Sequence, residues 1–160
     1  MSHPDAPTLD DYRGLAEFRY LIRRFLRFSE QTARSAGLEP RQHQMLLAIK
    51  GLPSSHHATI GALAERLQIQ SHSAVELANR LVARGLVQRR PGRTDRRQVL
   101  LELTPEGENV LKGLSVTMRA ELRSLGPTLV RSLNAILAEH RSAEPPDADA
   151  ADRDAARTRP

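Results

Sequence analysis

The chain contains no cysteine and no tryptophan, and aromatic residues make up only 3% of it. Without a thiol it cannot form a disulfide, ligate zinc or an iron–sulfur cluster through sulfur, or sense oxidants through cysteine. No aromatic residue falls between Arg80 and Arg97, so this stretch lacks the stacking platforms that hold single strands and RNA loops. Long apolar runs are missing too. No segment reaches transmembrane length, and Met1 to Asp11 offers Pro, Asp and Thr where a secretory leader needs a basic start and an apolar stretch. A soluble, cytoplasmic protein with no membrane partner is expected. Lysine is nearly absent, two residues against 22 arginines. Codon usage alone can produce that skew, so the clustering of arginine carries more weight than its total.

What is present fits one domain. A chain of 160 residues has room for a single modest core. The formal charge of +5 is unevenly spread: residues 142–160 carry five acids and three bases, which leaves 21 bases against 14 acids in residues 1–141. A surface that basic favours a polyanion, either nucleic acid or anionic lipid.

Apolar residues at Leu15, Phe18, Leu21, Ile22, Phe25, Leu26 and Ala33 follow helical spacing, and Gly37 supplies a stop. The interleaved Arg19, Arg23, Arg24, Arg27 and Arg34 read as the solvated face of this helix rather than as a membrane-surface stripe. Pro40 opens a second helix that carries Met45, Leu46 and Ile49 and closes at Gly51; a loop follows to Ala58. Thr59 is a plausible N-cap for a short helix from Ile60 to Leu67. After a turn at Gln68 to Gln70, another helix runs from about Ser71 to Arg84. Leu63, Ala64, Leu67, Val75 and Leu81 are available to pack between these two, which makes a helix-turn-helix with the second helix as reader.

Beyond Gly85, the segment Leu86 to Arg90, a turn at Pro91 and Gly92, and a return strand from Arg97 to Leu103 suggest a hairpin, or wing. Thr104 and Pro105 then cap a long helix with Val110, Leu111, Leu114, Met118, Leu122 and Leu125. Gly126 and Pro127 are expected to interrupt it before a last helix with Leu129, Leu133, Ile136 and Leu137. From Glu144 onward the composition cannot support a fold. The expected class is mainly α with a small β-hairpin wing: a winged helix-turn-helix at about 40–104, dimerisation helices at about 11–36 and 105–141, and disordered ends at 1–10 and 142–160. The terminal helices have more apolar surface than one small reading lobe can cover, so a symmetric homodimer is expected.

Between Arg80 and Arg97 there are seven arginines and one acid. Backbone phosphates are the natural counter-charge for such a cluster, and a wing arginine could also enter a narrow minor groove. The run TIGALAERL, then SHSAVELANRLVARGLVQRR, then TDRRQVLLELTPEG, from Thr59 to Gly107, resembles the winged-helix signature of MarR-family regulators. Its strongest element is D-x-R at Asp95 to Arg97. GLEPRQHQMLLAI, from Gly37 to Ile49, resembles the same family's second-helix entry, so the likeness covers roughly residues 15–140.

The resemblance implies a transcription regulator, a repressor or an activator, on a pseudo-palindromic double-stranded operator. It further implies a response to small aromatic or phenolic effectors, no cofactor and no enzymatic activity. By position it places Ser71, His72, Ser73, Glu76 and Arg80 in the groove. Arg84, Arg89, Arg90, Arg93, Arg96 and Arg97 complete the basic surface, and Asp95 holds Arg97 by a charge-assisted bond or merely tightens the hairpin. Glu76 departs from the usual basic or polar residue; it either accepts from a cytosine amino group or pairs with Arg80 one turn on. Two other readings remain: a non-specific winged-helix DNA-binding module, and a metal-responsive regulator using His43, His56, His57 and His72. Ser54, Ser55, His56 and His57 are neighbours in a loop and form no preorganised triad.

Overall fold

The computed structural model of the chain describes residues 7–92 and 97–141, with side chains as far as residue 137. The expected tail at 142–160, the first six residues, and Arg93, Asp95 and Arg96 at the hairpin tip lie outside the described residues. The elements are α1 (Leu9–Ser35), α2 (Pro40–Lys50), α3 (Ile60–Leu67), α4 (Ser71–Ala83), β1 (Val87–Pro91), β2 (Val99–Leu103) and α5 (Pro105–Arg141). This is the expected mainly helical architecture with one antiparallel hairpin. Among the described residues no helix is long and apolar enough to cross a membrane.

The chain divides into two compact units. One contains residues 24–124; the other joins residues 1–23 to 125–160. The second half of α1 and the first half of α5 belong with the helix-turn-helix in the larger unit. Their apolar stripes explain this: Ala33, Leu111 and Leu114 enter the same buried cluster as Met45 and Leu46 of α2, Leu63 of α3, and Leu77 and Leu81 of α4.

Within this larger unit the local signals act as their chemistry dictates. Thr59 caps α3 by accepting from the Ala62 amide at 3.3 Å. Gly85 closes α4 in the left-handed region, φ 70°, and the next amide, Leu86 N, returns to Leu81 O at 3.0 Å. The joint between the hairpin and α5 is tighter. Thr104 N donates to Leu86 O at 3.1 Å, while Thr104 Oγ1 donates to Gly85 O at 2.6 Å and accepts from Gly107 N at 3.1 Å. A Cβ on Gly107 would stand 2.0 Å from Leu86 O, so only glycine permits this approach.

In the smaller unit α1 begins at Leu9, two residues before the expected start at 11. Thr8 and Asp11 cause this: Thr8 Oγ1 accepts from Asp11 N at 3.2 Å, and the Asp11 carboxylate accepts from Thr8 N at 2.6 Å, a reciprocal cap. A larger correction concerns α5, which runs unbroken through Gly126 and Pro127 to Arg141. Proline removes one backbone donor and crowds the carbonyl four residues back, a cost of about 3 kcal/mol. The apolar period nonetheless stays in helical phase across it, from Leu122 and Leu125 to Leu129, Leu133 and Ile136, so both sides favour the same helix. Gly14 of α1 lies against the Ile136 side chain, 3.1 Å from the position its Cβ would occupy.

Candidate nucleic-acid interface

The candidate surface begins with the burial pattern of α4. Ala74, Leu77, Ala78 and Leu81 are buried, and at about 100° per residue they define one face of the helix. The opposite crest carries His72, Glu76 and Asn79, all exposed, with Ser71 and Val75 on one flank and Ser73 and Arg80 on the other. The expectation that Val75 packs between the helices is overturned: it is 39% exposed, because the inward row of α4 starts at Ala74. Glu76 Oε2 lies 4.0 Å from Arg80 Nη2, the one-turn pairing that competes with a base contact. Both side chains are well exposed, so the pair holds neither firmly.

The basic cluster divides by role. Register pairs Arg89 with Leu101 and Arg90 with Leu100, so adjacent arginines face opposite sides of the hairpin. Arg89 shares its side with the buried Leu101 and Val87, which turns it toward the body, where its guanidinium donates to Asn79 Oδ1 of α4. Arg90 lies on the other side, with its Nε 3.3 Å from Glu102. Arg84 is used for architecture: its Nη1 donates to Gly37 O at 2.8 Å and to Gln42 Oε1 at 3.0 Å, tying the end of α4 to the α1–α2 corner. Gln42 Oε1 also accepts from Glu39 N at 3.0 Å, which holds the first turn of α2. Arg97 is exposed and just precedes β2. Its expected bond from Asp95, with Arg93 and Arg96, lies outside the described residues.

The hairpin has a third neighbour. Leu101 N donates to Ala58 O at 2.9 Å, which fastens β2 to the segment entering α3. Helix α4 and the hairpin are thereby held to one frame by Arg89–Asn79 on one side and this bond on the other. The histidines are dispersed. His43 is buried in α2, where desolvation lowers its pKa; His56 contacts Ser55 in the exposed loop, and His72 stands on α4. No group of three metal-ligating side chains forms among the described residues.

Val75 and Asn79 were not among the reading-face residues expected from sequence. A helical projection that took Ala74, Leu77, Ala78 and Leu81 as the inner row would have placed both on the outer face.

Two short helices joined by a tight turn, with a two-stranded hairpin behind the second, define a winged helix-turn-helix protein. Residues 36–98 match the model described as the MarR family. No curated protein matches the chain. Among solved structures, AbsC, a MarR family transcriptional regulator from Streptomyces coelicolor, is 16% identical, with 88% of this chain and 100% of that one covered at a TM-score of 0.64. MepR, a transcription regulator of the Staphylococcus aureus multidrug efflux pump MepA, is 17% identical over 79% of this chain and 94% of its own, with a TM-score of 0.63. A mutant MarR from E. coli, complexed with operator DNA, is 21% identical over 76% of this chain and 88% of its own, with a TM-score of 0.57. Residues 36–98 of this chain thus match the MarR family model, and its fold is that of these solved structures.

Proposed function

We propose that this protein is a transcription regulator that binds double-stranded DNA sequence-specifically as a symmetric dimer, acting as a repressor relieved by a small molecule. The observation that carries the reading is the α4 crest, exposed and polar, braced by Arg89 against a basic hairpin. Such a helix suits the major groove, with the wing alongside a minor groove. The operator-bound MarR mutant supports the same use of this fold.

Dimerisation follows from what the smaller unit cannot do alone. Leu21 and Leu125 are its only buried large apolar side chains among the described residues, whereas Leu9, Tyr12, Tyr20, Val130 and Leu137 are all more than half exposed. A second copy would cover them and present two α4 helices related by a two-fold axis. For an effector, a cavity of about 420 Å3 opens between the end of α2 and the start of α5. Leu103 and Leu111 give it apolar wall, and the chain's only two lysines, Lys50 and Lys112, line it beside Glu108. A small aromatic carboxylate or phenolate matches that lining. An effector need only favour a head spacing unsuited to two successive grooves, a coupling of about 1–3 kcal/mol.

Sedimentation of the purified chain together with footprinting on a selected duplex tests this reading. A dimer protecting two half-sites about 10 base pairs apart supports it. A monomer, or protection independent of sequence, overturns it in favour of a non-specific module.

A further inference from the structure

The exposed crest of α4 is polar, yet one large apolar side chain stands beside it. Val75 is the only exposed large hydrophobic residue of the helix. It lies on the flank toward Asn79, whose amide oxygen is occupied by the Arg89 guanidinium reaching from β1. An asparagine recognises adenine through its oxygen and nitrogen together; the Arg89 bond uses one of the oxygen's two lone pairs and fixes the amide's orientation, which restrains that pairing. Val75 is one turn nearer the N-terminus of α4, the end of a recognition helix that meets base edges. A half-exposed valine has no use for a hydrogen-bonding edge. The major groove of an unmodified duplex offers only one apolar feature, the 5-methyl group of thymine. The run of arginines between Arg80 and Arg97 supplies the charge that would bring a duplex to the protein.

We infer that Val75 reads the methyl group of one thymine in each half-site, with Arg89 as a positioning residue that fixes the neighbouring Asn79. The assignment rests on α4 being a DNA-reading helix. Its polar neighbours His72 and Glu76 remain available for adjacent base edges, so Val75 adds preference at one position and does not supply the whole specificity.

The test uses the full chain and a duplex selected by it from a random library. Each thymine is replaced in turn by deoxyuridine, which removes the methyl group and leaves base pairing intact. Burial of one methyl group is worth about 0.8 kcal/mol, which converts to a loss of about four-fold in affinity per half-site. The parent protein is expected to show that loss at one thymine, placed symmetrically in both half-sites, and Val75→Ala is expected to bind the thymine and uridine duplexes equally. Val75 is exposed, so the variant's fold is expected to survive, as circular dichroism can verify. A flat uridine profile in the parent, or a penalty that persists in Val75→Ala, overturns the assignment while leaving the regulator reading intact. Failure of the library to yield any preferred sequence overturns both.

Discussion

Gly107→Ala and Gly113→Ala make the same chemical change on one helix, and the structure gives them opposite signs. A Cβ on Gly107 would lie 2.0 Å from Leu86 O and 3.0 Å from its carbonyl carbon. A carbon and a carbonyl oxygen normally stay about 3.3 Å or more apart, so the two backbones must separate by over ~1 Å. Both are backbone atoms, and no rotamer change relieves them. The separation falls on the joint where Thr104 N meets Leu86 O and Thr104 Oγ1 meets Gly85 O. Overpacking costs about 1–3 kcal/mol, and a weakened hydrogen bond about 1 more, so a loss near 3 kcal/mol is expected. Gly113 has no atom within 4 Å of its Cβ position; alanine there gains helix propensity of about 0.5–1 kcal/mol. Urea unfolding at fixed protomer concentration measures both. Melting is expected to drop by roughly 6–12 °C for Gly107→Ala and to rise by a few degrees for Gly113→Ala. If Gly107→Ala stays within about 0.5 kcal/mol of the parent, the close approach of α5 to the hairpin is not as described, since surface changes alone reach that size.

Further outcomes follow from single side chains. Gln68 holds the turn between α3 and α4 at φ 52°, so Gln68→Gly is expected to raise stability by about 0.5–1 kcal/mol in the same unfolding assay; a decrease would contradict the strain. Arg84→Met is expected to cost about 1–2 kcal/mol of stability and leave the salt dependence of DNA affinity nearly unchanged, because its guanidinium is committed to Gly37 O and Gln42. Arg80→Met is expected to do the reverse, sparing stability and reducing the log–log salt slope by about one for each phosphate that is no longer neutralised. His43 is buried and its pKa is lowered from 6.5 by desolvation, so the unfolded chain takes the proton more readily than the folded one. Its contribution is therefore complete above about pH 6.5 and is lost as pH falls from there through the lower folded value. His43→Gln is expected to remove that part of the pH dependence, and an unchanged profile would refute the assignment.

The sequence made the punctuation of this fold readable. Thr59, Gly85, and Thr104 with Pro105 each mark an element end through a local hydrogen bond or a backbone preference, and such signals need no knowledge of the tertiary structure. Pro127 misled for the converse reason: its local penalty is real, but an apolar stripe in phase on both sides outweighs it. The Thr8–Asp11 cap was visible as a T-x-x-D pattern, yet between Thr8 and Leu15 only Leu9 and Tyr12 are apolar, too few positions to set a helical period. On the reading surface, charge density identified the arginine cluster as a whole. What each arginine does was hidden, because adjacent arginines on a strand face opposite ways and only register and packing decide which meets Asn79 and which meets Glu102. Arg84 is the sharpest case: its helix position suggests phosphate, and its partners lie 42 and 47 residues away in the chain.

Binding of the purified chain to duplex DNA tests the central claim most directly. The region upstream of its own gene is compared with unrelated duplex of equal length, at two salt concentrations and with competitor present. Tight, competitor-resistant binding of a dimer to the upstream region alone is predicted, with affinity falling as salt rises. Equal and steeply salt-dependent binding to both duplexes, or no binding to either, would contradict the claim.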